Sequence, residues 1–195
     1  MSSPLVRSVH FYDHDEALIA RLHNIIVSSL EGGSSALIVA TNEHRAQLTA
    51  TVDESGPSIK KLAKQRLQML DANETLAKFM VNGHPSDRRF RESVGNLIMD
   101  ARLAAKNAHR GLTVFGEMVA ILWAEGNKIG ALELERLWND LLQDRSFHLH
   151  CAYPRWILQQ GSESLMLKSI CDEHSSVFGY ASHLKNSAVA LPKAS

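Results

Sequence analysis

The stretch from Leu112 to Pro154 limits the fold more than any other part of the chain, because it reads as strand, sharp turn, helix, helix, strand. Thr113, Val114 and Phe115 form a β-branched and aromatic run that stops at Gly116, and Glu117 then opens an apolar helical segment. Further on, Phe147, Leu149 and Cys151 alternate with His148 and His150, a period of two that predicts a strand ending at Ala152, Tyr153 and Pro154. In an open α/β sheet, the place where a strand ends and a helix begins is where ligands bind.

Upstream segments supply the rest of a sheet. Val9 to Tyr12 is a short strand, and Asp13, His14 and Asp15 suit the cap of a helix carrying Leu18, Leu22, Ile25, Ile26 and Leu30 on one face. Gly32 and Gly33 stop that helix. The run Ala36 to Ala40 is continuously apolar and too short for a helix, as expected of a central parallel strand covered on both faces. Thr41 or Asn42 caps the next helix, which carries Leu48 and Val52 and ends near Gly56 and Pro57. Residues 58–66 gather Lys60, Lys61, Lys64 and Arg66 and read as a solvated connector face, the alternative being an anion or partner patch.

Leu67 to Leu70 reads as a third core strand, and Asp71 to Glu74 has the spacing of a capping box. The short helix it starts is expected to end at Asn82 and Gly83, with Pro85 preventing continuation. A long helix follows, with Phe90, Val94, Leu97, Ile98, Ala101 and Ala105 on one stripe, reaching His109, Arg110 and Gly111. After Pro154, Leu165, Leu167, Ile170 and Val177 suit one more amphipathic helix, and residues 181–195 read as a frayed tail to a domain spanning 8–180. Short apolar strands alternating with amphipathic helices imply right-handed crossovers and a mostly parallel sheet. The fold class is therefore α/β, a three-layer α/β/α sandwich.

At 195 residues with 45% hydrophobic content, one ordinary domain can build a full core. Lys plus Arg and Asp plus Glu balance at 21 each, so no field of one sign recommends direct nucleic-acid binding or an anionic membrane. The first residues lack the apolar core of a signal peptide, and no apolar run approaches the roughly 18 residues of a membrane span, so a cytoplasmic protein is expected. Two cysteines without a secretion signal point to reduced thiols.

The blocks HFYDHD, ALIVATNEHR, LDANETLAKFMVNGHPSDRRFRESVG, FGEMVAILWAEG, ALELERLWNDL, FHLHCAYP and ICDEHSSV, in that order over residues 8 to 178, together resemble the MEDS domain, a sensory module named for methanogens, methylotrophs and the dichloromethane-responsive regulator. The resemblance implies a RecA-like α/β fold related to the KaiC-type proteins and a role in prokaryotic signal transduction, sensing small hydrocarbon derivatives. MEDS modules commonly sit beside an output such as a histidine kinase or a DNA-binding segment. No room for one follows residue 180, so a stand-alone sensor is expected, signalling through a protein partner such as a histidine kinase or a regulator.

A RecA-like ATPase needs a glycine-rich loop with Lys and Ser/Thr to wrap phosphates and hold magnesium, and no GxxxxGK[ST] occurs here. Gly32 and Gly33 precede a strand instead of following one. Neither ATP hydrolysis nor a cofactor is expected.

If the sheet is parallel, its C-terminal edge brings together Tyr12 and Asp13, Thr41 with His44 and Arg45, Gly116 with Glu117 and Met118, and Cys151 with Tyr153, along with Asp71. These residues are the candidate ligand site. Glu117 is either a carboxylate on a helix dipole or the polar anchor of a pocket, with Gly116 allowing close backbone approach. Arg45 either clamps an anionic ligand or pairs with Glu43.

His148, His150 and Cys151, or Cys171 with His174, fall short of a zinc signature, and no metal is expected. No GxSxG elbow supports a hydrolase triad, which leaves Glu117 as the sole acid or base for an enzymatic alternative. Trp123 and Trp138 read as core or interface aromatics. A competing reading is an interaction module without a small ligand, docking through Trp138 and the LERLWNDLL face onto a partner or a second copy.

Overall fold

The computed structural model of the chain describes residues 7–105, 111–145, 147–159, 168, 170–172 and 174–178. Six parallel strands form one sheet: β1 (Arg7–Tyr12), β2 (Ser35–Ala40), β3 (Leu67–Asp71), β6 (Leu112–Gly116), β7 (His148–Pro154) and β8 (Ser176–Phe178), in the spatial order β3-β2-β6-β7-β1-β8. A separate antiparallel pair, β4 (Met80–Val81) and β5 (His84–Pro85), stands apart from it. The helices are α1 (Asp15–Glu31), α2 (Asn42–Glu54), α3 (Pro57–Arg66), α4 (Ala72–Ala77), α5 (Asp87–Leu103), α6 (Met118–Ala124) and α7 (Lys128–Asp144). Among the described residues no helix is long and apolar enough to cross a membrane.

The strand order sorts the helices into layers. From β1 to β2 to β3 the chain steps one way across the sheet, and from β3 to β6 to β7 it steps back. Right-handed crossovers therefore place α1, α2 and α3 on one face and α4 to α7 on the other. Two cores result. The first packs Leu18, Leu22, Ile26, Leu48 and Ile59 on Ile38, Phe115 and Ala152. The second packs Phe90, Val94, Ile98, Leu122, Trp123 and Trp138 on Val9, Phe11, Val114, Leu149 and Tyr153. Trp138 meets Phe90 and Phe147 edge to face, with ring centroids 5.2 and 6.4 Å away. β2 and β6 are buried along their whole length, as the apolar run at residues 36–40 requires.

Four expectations are corrected. The lysine-rich stretch is not a connector but the helix α3, started by Pro57 and anchored by buried Ile59; Lys60, Lys61 and Lys64 face solvent as expected, whereas Arg66 is buried. β3 is an edge strand with every residue only half-buried. Asn82 and Gly83, at φ 50° and 83°, turn the β4–β5 hairpin, because α4 has already ended at Ala77. Val177 lies in β8 opposite Val9, not on a helix, and Leu165, Leu167 and the 181–195 tail lie outside the described residues.

Candidate functional site

Adjacent strands whose onward helices cross to opposite faces leave a crevice between their C-terminal ends. β2 and β6 are such neighbours: β2 continues into α2 on one face and β6 into α6 on the other, with Val39 beside Gly116 in register. Thr41, His44 and Arg45 follow β2, and Glu117 follows β6, so the sequence places chemistry at this crevice from both sides.

Glu117 fills it. The residue is 3% exposed. Its backbone N–H donates to Val39 O at 3.0 Å, which fixes the turn, and its carboxylate then points across to α2 without capping α6. One carboxylate oxygen accepts the Thr41 N–H at 2.7 Å and the other is bonded to His44 Nδ1. His44 is itself buried, and its Nε2 lies 3.4 Å from Asp15 Oδ1 at the start of α1. Both ring nitrogens thus face carboxylate oxygens, which only accept, so the imidazolium is the form that satisfies both. The Glu117 hydrogen bond holds His44 above its usual range, overcoming the opposing effect of burial, and the two carboxylate charges add to it.

Tyr12 closes the rim, edge-on to His44 with ring centroids 6.5 Å apart. Burial, then the Glu117 and Asp15 charges, push its phenol well above the usual range, so it stays a neutral hydroxyl. Beside this group Arg45 pairs with Asp71 at 3.1 Å, and Asp71 caps α4 by accepting Glu74 N–H at 2.9 Å. That backbone bond, with Arg45 also contributing, lowers the Asp71 pKa. Asp13 pairs with Arg155 at 3.0 Å across the ends of β1 and β7. Arg45 Nε and Arg155 Nε are both buried without a hydrogen-bond acceptor among the described residues.

The structure thus brings Tyr12, Thr41, His44 and Glu117 together, with Arg45 and Asp13 on flanking ion pairs. It separates the remaining candidates from them. Met118, Cys151 and Tyr153 lie in the core on the other face of the sheet. At Gly116 a Cβ would point towards the same core and meet the Trp138 ring at 3.7 Å. Trp138 is 1% exposed and cannot anchor a docking surface.

Tyr153 belongs to a different polar group that the sequence did not reveal. Its hydroxyl donates at 2.7 Å to Glu135, a carboxylate 1% exposed on α7, which also pairs with Arg7 of β1. Arg7 further bonds Asn139 and the Glu135 carbonyl, the latter at 3.1 Å. His174 Nε2 lies 3.9 Å from the same carboxylate, and donor atoms of Glu135, Cys151 and His174 fall within 4.8 Å of one another. The guanidinium already supplies the positive charge this buried carboxylate needs. Burial pushes the Cys151 thiol far above its usual range, so the group reads as a satisfied core network. His148 and His150 line the opposite face and do not join Cys151.

Asp15 is the member of the crevice that sequence reasoning treated only as a cap. Its signal was available: it opens the helix directly after β1, at the same sheet edge.

Among known families, the model described as MEDS: MEthanogen/methylotroph, DcmR Sensory domain matches residues 8–168. No curated protein and no solved structure matches the chain.

Proposed function

Because the chain belongs to the MEDS family of sensory domains, we propose that it is a non-enzymatic sensor that binds a small hydrocarbon-derived metabolite in the crevice between the ends of β2 and β6. The observation that carries this reading is the Glu117–His44–Asp15 chain beneath Tyr12, which links β6, α2 and α1 through charged hydrogen bonds at the switch point of the sheet. The ligand's polar group would exchange for one of those bonds.

Binding transmits a signal only if the ligand prefers one arrangement of the elements over another. Breaking the Glu117–Thr41 bond would free the first turn of α2, and losing Asp15 from His44 would free the start of α1. A partner reading the α1–α2 face, such as a histidine kinase or a transcription regulator, would then meet a changed surface.

Thermal melting of the full chain against a panel of short alcohols, aldehydes and haloalkanes tests the reading. The expected result is a rise in melting temperature with at least one compound, lost in Glu117→Gln and in Tyr12→Phe. A panel without any effect on the wild-type protein refutes it.

A further inference from the structure

A hollow of about 650 Å3 lies away from the crevice, between α1 and the sheet where it faces β6 and β7. Its polar walls are Arg21, Asn24, Ser28 and Ser29 of α1 and Thr113, His148 and His150 of the strands, and among the described residues no carboxylate lines it. Strand parity explains the composition. His148 and His150 point to the α1 face because Leu149, Cys151 and Tyr153 fill the core on the other.

Arg21 makes no ion pair among the described residues. The ring of Phe178 lies 4.2 Å from its guanidinium carbon, so one flat face is covered while the N–H edge has no acceptor among the described residues. That arrangement orders the side chain without using its hydrogen bonds, as a planar fork for a carboxylate or phosphate requires. His150 Nδ1 shares a hydrogen bond with Ser8 Oγ at 2.6 Å, which fixes the ring. Burial, followed by the charges of Arg21 and His148, lowers the His150 pKa to about 4, so the ring is neutral at pH 7. The volume matches that of pockets that hold small molecules, roughly 300–1,000 Å3.

We propose that this hollow binds a small organic anion, a metabolite bearing a carboxylate or phosphate, with its oxyanion on the N–H edge of Arg21 and its remainder between Asn24, Ser28 and the two imidazoles. The site is distinct from the strand-end crevice and shares no residue with it, so the sensor acquires a second input of opposite chemical character.

Calorimetric titration of the full chain with succinate and, separately, with inorganic phosphate, against sodium chloride at matched ionic strength, tests the proposal. Saturable binding of either anion is expected, and the one that binds identifies the oxyanion class. Arg21→Gln is expected to weaken it by about tenfold or more, because a charge-assisted pair is lost. Ser28→Phe, an exposed position on α1, should block the hollow by bulk, and Arg88→Gln, which removes a charge from the far surface of α5, should leave binding unchanged. Absence of saturable binding by both anions, or equal affinity in Arg21→Gln and wild type, overturns it.

Discussion

Glu117 accepts the backbone N–H of Thr41 at 2.7 Å with one carboxylate oxygen and holds His44 Nδ1 with the other, so a single side chain at the end of β6 sets the first turn of the helix after β2. Removing it leaves a buried N–H and a buried imidazole without their acceptor. Glu117→Ala should therefore lower unfolding free energy by about 3 kcal/mol, and Glu117→Gln, which keeps an acceptor for Thr41, by less. Urea unfolding followed by circular dichroism measures both; a loss in Glu117→Ala under about 1 kcal/mol would show that the bond is incidental.

Two histidines should shape the pH profile from opposite sides. The folded pKa of His44 lies above its ordinary 6.5, so its contribution is complete below that value and disappears as pH rises through the folded one. His150 is depressed to about 4, so protons bind the unfolded chain more readily and stability falls as pH drops from 6.5 towards 4, by up to about 3 kcal/mol. His44→Gln should flatten the alkaline limb and His150→Gln the acid limb in urea titrations from pH 4 to 8.5.

The two thiols should differ in reactivity. Cys151 is 2% exposed with its pKa raised by burial, whereas Cys171 is half-buried and raised too, by burial and by Asp172. A disulfide-exchange reagent should label Cys171 first and Cys151 only at the rate of opening of the fold. Mass spectrometry of partly labelled protein distinguishes the sites, and equal rates would contradict the packing.

Truncating the Glu135 network should be asymmetric. Tyr153→Phe removes one neutral donor to a buried carboxylate and should cost about 1.5–3 kcal/mol. Arg7→Met leaves a carboxylate buried without its cation and should cost about 3–5 kcal/mol. Denaturant midpoints of the two variants compare them directly.

Strands and layers were legible in the sequence because period and punctuation carry them: the apolar run at 36–40, the alternation of 147–151, and Gly116 ending β6. Which face a residue joins was not. Tyr12, Cys151 and Tyr153 all sit near the same edge, and whether they share a face depends on the register between β1 and β7. That register pairs Tyr12 with Pro154 and Phe11 with Tyr153, so parity sends Tyr12 to α1 and Tyr153 to α7. The Arg7–Glu135 pair was hidden for a similar reason, its members lying 128 residues apart. α3 escaped notice because Ile59 is its one buried apolar residue, too little to show a helical stripe.

The position of β1, between β7 and β8, also sets the order of events during synthesis. Ser8 must wait for His150, 142 residues later, before its strand gains a neighbour, a delay on the order of 10 s at ribosomal speeds. Until then β1 has two bare edges, so among the strands of this sheet it waits longest for a hydrogen-bonded neighbour.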